Sequence, residues 1–109
     1  MVYHGIIQGG TFEDIISTLE STRELELVNC ETEFCDDKKS VLFVFEKYYK
    51  RTNTIAAVIV FIVEKEGKKS ISLTSAGCGS GLFRMTFNTE KDIIELVKKS
   101  LAEYDLIEE

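Results

Sequence analysis

The sequence predicts an α+β domain: an antiparallel four- or five-stranded meander with two amphipathic helices on one face, in the order β-α-β-β-β-β-(β)-α. Three observations carry this. Apolar residues recur at helical spacing in two windows, one near each end of the chain. Between them lie runs rich in β-branched and aromatic residues, joined by turns too short for a parallel crossover. The 109 residues, 44% hydrophobic and 29% charged, describe one globular domain over 1–109, able to bury a core without disulfides or metal.

Each element follows from its own residues. Residues 2–8 are apolar enough for a short strand, which Gly9 and Gly10 break. Thr11 is placed to cap a helix, with Asp14 three residues on, and Phe12, Ile15, Ile16 and Leu19 form one stripe. That helix is expected over about 12–23. Residues 27–35 read as a strand closed by Asp36 and Asp37, and 41–49 as the next. After a turn at 51–54 comes the strongest strand, 55–63; Glu66-Gly67 makes a hairpin turn, and 70–75 returns. Glycines 77, 79 and 81 then interrupt the chain, and 82–87 is a candidate last strand. Asn88-Thr89, with Asp92, supplies a second cap, and Ile93, Ile94, Val97, Leu101 and Tyr104 give the second helical stripe.

The strand over 55–63 is apolar on both faces, as is 41–45, whereas a half-solvated strand alternates. Two helices cover one face of such a sheet, so something must shield the other. A homodimer joined through the sheet, a curved sheet around an apolar ligand cavity, and cover by the segment 24–40 are the three solutions. Large exposed apolar patches mark interaction surfaces, so self-association is the leading expectation.

Charge is divided along the chain. The net −6 splits into −8 over residues 1–37, +6 over 38–84 and −4 over 85–109, so the sheet is basic and the helices acidic. The sheet lysines gather in turns, where they oppose edge-to-edge aggregation, and the overall acidity disfavours nucleic acid as a partner. The N-terminus has neither a basic nor an apolar signal region, and the nine-residue run 55–63 is far short of the roughly 20 residues a spanning helix needs. No membrane association is expected. Three cysteines at unremarkable spacing suggest reduced thiols and a cytoplasmic location.

Candidate chemistry is sparse. In Ser75-Ala76-Gly77-Cys78-Gly79-Ser80-Gly81-Leu82 alternating glycines can present successive backbone N–H groups to an anion. The stretch lacks the Gly-Lys-Ser/Thr ending of a phosphate loop, and a bulged, tight strand connection is the better explanation. Cys78 would need His4, the only histidine, as its base. Cys30, Cys35, Cys78 and His4 match no metal-ligand spacing, and Glu31/Glu33 and Asp36/Asp37 lie in a polar, solvated segment. No catalytic set, metal or cofactor is therefore assigned. The ligand-binding candidates are Tyr49, Arg51, Gly77, Cys78, Gly79, Ser80 and Gly81, fixing an anionic or apolar small ligand between sheet and helices.

The segment Val44-Phe45-Glu46-Lys47-Tyr48-Tyr49-Lys50-Arg51, the apolar strand 55–63, and Ala76-Gly77-Cys78-Gly79-Ser80-Gly81-Leu82-Phe83 together resemble a family of small uncharacterised bacterial proteins. Members have a Tyr-Tyr-x-Arg segment and a glycine-rich loop before a C-terminal helix. The sequence departs from that pattern at Cys78, where glycine is usual, and at Asn88-Thr89, where Trp-Gly is expected. The resemblance implies a single-domain α+β fold and a bacterial cytosol, and no activity.

Overall fold

A computed structural model describes residues 1–79 and 83–109, with residues 78, 79 and 83–88 described by their backbone alone. The elements are β1 (Val2–Ile7), α1 (Phe12–Glu20), β2 (Glu26–Phe34), β3 (Lys38–Tyr49), β4 (Thr54–Lys65), β5 (Lys68–Gly79), α2 (Phe83–Ser100), a 3-10 turn (Ala102–Tyr104) and β6 (Leu106–Glu108). All described strands join one sheet in the order β2-β3-β4-β5-β1-β6, and every pairing is antiparallel. The α+β class and the antiparallel meander β2 to β5 agree with the sequence. The count is six rather than four or five, because the chain ends in a strand the sequence left unassigned.

Helix α1 starts where expected: the Thr11 hydroxyl accepts from the Asp14 amide at 3.0 Å. It ends at Glu20, short of Arg23, because Ser21 and Thr22 turn their hydroxyls back onto the Ser17 and Thr18 carbonyls. Such local bonds compete with helix continuation. The hairpin between β4 and β5 turns on Glu66 and Gly67, both in the left-handed region, at φ 54° and 78°. Two positive φ values match the twist of the flanking strands.

One face of the sheet carries the core. Val41, Phe43 and Phe45 on β3, Ala56, Val58, Val60 and Ile62 on β4, and Ile71 and Leu73 on β5 are buried at every second position. Phe12, Ile15 and Leu19 of α1, and Ile93, Ile94, Val97 and Leu101 of α2, close over them in a single cluster. Both helices thus lie on this inner face. The connection after α2 packs closely as well: the Thr18 and Tyr104 hydroxyls bond at 2.5 Å, and the Gly9 amide donates to the Tyr104 carbonyl at 2.8 Å. Gly10, at φ 72°, lies against the Tyr104 ring, where a Cβ would collide with it. Asp105, at φ 56°, then swings the chain into β6 beside β1.

Three expectations are corrected. Residues 83–87 do not form a last strand; they open α2, so Asn88-Thr89 is interior to that helix and not its cap. Phe83 and Phe87 fit an alternating strand and an i, i+4 helical pair equally well, and the helical pattern downstream decides. Glycine 77 and the backbone of Cys78 and Gly79 are not a loop: they extend β5, opposite Ala56, Ile55 and Thr54. The segment 24–40 does not cover the outer face, because β2 pairs with β3 as the edge of the same sheet, with a register shift between Leu27 and Asn29.

Candidate functional site: a basic cleft and an uncovered sheet face

Residues 47–52 build the first candidate. Tyr48 and Tyr49 are successive on β3 and point to opposite faces. Tyr49 points to the helix side, where its hydroxyl donates to Asp92 Oδ2 on α2 at 2.6 Å. Burial first, then that hydrogen bond and the Asp92 charge, push the Tyr49 phenol above its ordinary value. Lys47, two residues earlier on the same face, holds its ammonium 5.4 Å from the Tyr49 ring centroid. Tyr48 donates to Asn53 Oδ1 at 2.8 Å, and the Thr52 and Thr54 hydroxyls bond at 2.6 Å, which fixes the turn between β3 and β4.

Between this turn and α2 lies an open cleft of about 720 Å³, bordered by Lys47, Tyr49, Lys50, Arg51, Thr89 and Asp92 among others. Lys47, Lys50 and Arg51 make no ion pair among the described residues. Tyr49 and Arg51, both expected from the sequence, therefore do border one cleft. Gly77 and the backbone of Cys78 and Gly79 lie in β5, at the same end of the sheet, and Ser80 and Gly81 lie outside the described residues. Lys47, Thr89 and Asp92 were missed. Lys47 and Tyr49 share a strand face by their spacing of two, and Thr89 and Asp92 a helix face by their spacing of three, so the signal was there once 83–100 is known to be helix.

The thiol-histidine pairing does not assemble. His4 pairs with Ser72 and Cys78 with Ile55, about 20 Å apart along β5 at the rise of a strand. Cys30 sits part-buried at the core margin on β2, and its thiol is raised chiefly by that burial. Among the described residues no three His, Cys, Asp or Glu side chains gather as metal ligands.

The second candidate is the outer face. Opposite the buried residues, Leu42 and Val44 of β3 and Ile55, Ala57, Ile59, Phe61 and Val63 of β4 point away from the helices. Ile55, Ile59 and Phe61 are 47%, 42% and 40% exposed, while Val58, Val60 and Ile62 between and beside them are 0% exposed. Beside this ridge β5 presents the smaller side chains of Ser70, Ser72, Thr74 and Ala76. No described element crosses this face. None of the described helices is long and apolar enough to cross a membrane.

No curated protein and no solved structure matches the chain. A family model does, over residues 6–105, which runs from the last two residues of β1 through every element to the 3-10 turn. The chain belongs to that family, DUF6054, a family of unknown function.

Proposed function

We propose that the protein is a binding module that acts as a homodimer, two copies closing over the outer faces of their sheets. One observation carries the reading: β4 is apolar on both sides, and among the described residues only its inner side is covered. An apolar surface of this extent on an antiparallel sheet is an interaction surface. A second copy is the occupant that the chain itself always supplies, and a two-fold contact asks only that one patch complement itself. The reading is one of binding, and the cysteine and histidine that thiol catalysis would have to bring together lie far apart on the sheet.

Light scattering on the purified chain tests it. The expected mass is twice 12.4 kDa at micromolar concentration. Phe61→Asp, at a position 40% exposed and outside the core, leaves the circular dichroism spectrum unchanged and raises the dissociation constant by about 100-fold, as a charge placed in an apolar contact should. A wild-type chain that stays monomeric at high micromolar concentration sinks the proposal.

A second reading rests on the cleft. Three cations that make no ion pair among the described residues border a volume suited to a small ligand, and the guanidinium of Arg51 offers a fork for an oxyanion. We take it as a site for a small anion. With no tryptophan, the emission comes from four tyrosines, of which two, Tyr48 and Tyr49, border the cleft. Titration with inorganic pyrophosphate should give a saturable change in roughly the millimolar range or tighter, and Arg51→Gln should weaken it by about tenfold. A flat titration removes the reading.

A further inference from the structure

The homodimer proposed above has a crossing angle written in its charges. Strand register places Lys38 opposite Lys65 and Lys65 opposite Lys68, a row of three exposed lysines across β3, β4 and β5. By alternation they share the outer face with Ser40, Val63 and Ser70. Like charges on neighbouring strands repel, so the row costs the isolated chain stability. Lys68 reaches Glu109 at 4.0 Å, and Lys38 and Lys65 make no ion pair among the described residues, the turn acids Asp36, Asp37 and Glu66 included.

The complementary charges stand along the β2 edge of the same face. Glu31 pairs with Leu42 and Glu33 with Ser40, so both carboxylates point outward. With Leu42, Ser40 and Phe61 they line a depression of about 230 Å³. Glu31 accepts from the Asn29 amide at 3.0 Å and Glu33 from the Cys35 thiol at 3.7 Å, and neither meets a cation among the described residues.

Symmetry then selects the arrangement. A two-fold axis parallel to the strands carries the lysine row onto its own copy. An axis across the strands lays β2 over β2, stacking Glu31 on Glu31, and leaves Lys38 only Glu46 to meet. A diagonal axis exchanges the two directions. Taking Phe61 and Val63 of β4 as its centre, β2 lies two strands away and the lysine row about three residues along; both offsets come to about 10 Å at strand spacing and rise. We infer that two copies pack their outer faces with strands crossing near 90°, so that Lys38, Lys65 and Lys68 of each lie over Glu31 and Glu33 of the other. Orthogonal packing is one of the two ways in which sheets stack face to face. The two-fold makes the charged contact twice, on either side of an apolar centre.

Charge exchange tests this, and it rests on the homodimer reading in a way that keeps the two failures apart. One variant carries Lys38→Glu, Lys65→Glu and Lys68→Glu; the other carries Glu31→Lys and Glu33→Lys. All five positions are exposed, and circular dichroism checks that both variants fold. Each alone should dimerise at least about tenfold more weakly than wild type by light scattering. Mixed one to one they should recover wild-type affinity as a heterodimer, since both contacts are then complementary, and all five changes on one chain should restore the homodimer. A monomeric wild type overturns the dimer itself. A dimeric wild type whose two variants associate equally well, or fail to recombine when mixed, overturns the crossing alone.

Discussion

At the scale of single residues, Tyr49 shows how a part-buried polar group ties two elements. Its ring lies beneath the Lys47 ammonium, and its hydroxyl reaches across to Asp92 on α2. The folded state holds the phenolic proton more tightly than the unfolded chain, whose ordinary value is 10.0. The stability this contributes is complete below pH 10 and is lost as pH rises above it, through the higher folded value. Urea melts from about pH 8 to about pH 11 should therefore show a decline that is shallower in Tyr49→Phe than in wild type. Equal slopes would refute the assignment. Below pH 9 the same variant should be less stable by about 1 kcal/mol for the lost hydrogen bond. Of this site, Tyr49 and Arg51 were legible because an aromatic pair beside cations stands out in a sequence. Asp92 was not, because its pattern with Thr89 read as a helix cap, and only the helical course of 83–88 shows it to be mid-helix.

At the scale of elements, what was legible follows the strength of the period. The β4 run, the α1 stripe and the β4–β5 turn were all readable, since each rests on a local rule obeyed without a competitor. The start of α2 was not, because six residues with two phenylalanines satisfy both periods. β6 was invisible for another reason. Three residues carry no period at all, and their pairing comes from Asp105 turning the chain toward the free edge of β1. The β4–β5 hairpin offers a prediction at this scale. Glu66 holds a left-handed conformation for which asparagine is better suited. Glu66→Asn should stabilise the fold by about 0.5–1 kcal/mol, read as a higher urea midpoint with an unchanged slope. A lower midpoint would mean that the Glu66 side chain makes a contact of greater worth than the turn preference.

At the scale of the whole molecule, the division of charge along the chain does not become a division between sheet and helices. The acids of the first segment lie on α1 and on β2, an edge strand of the sheet, and the basic residues of the middle segment gather at both ends of β3 and β4: Lys38, Lys65 and Lys68 at one, Lys47, Lys50 and Arg51 at the other. The sequence question of what covers β4 is now a question about one surface only. The segment 24–40, one of the three solutions the sequence offered, extends the sheet sideways instead. No composition or period could show this, because whether a strand lies beside a sheet or over it is decided by pairing partners distant in sequence.

The insertion of β1 between β5 and β6 has a kinetic consequence. The β2–β5 meander can zip up turn by turn, each pairing closing a short loop. β1, although first in the chain, has no strand to join until β5 exists, for Val2 pairs with Thr74 and Ile7 with Lys69. β6 must wait in turn for β1. Folding thus runs out of step with chain order, and contacts so distant in sequence slow the final docking. Pulse-labelled hydrogen exchange should find the amides of β3 and β4 protected before those of β1 and β6. Simultaneous protection would show instead that the sheet forms in one step. While β1 remains undocked, the backbone of β5 is an open edge inviting a strand from another molecule, so a growing chain is most prone to mispairing in the interval before its own first strand returns.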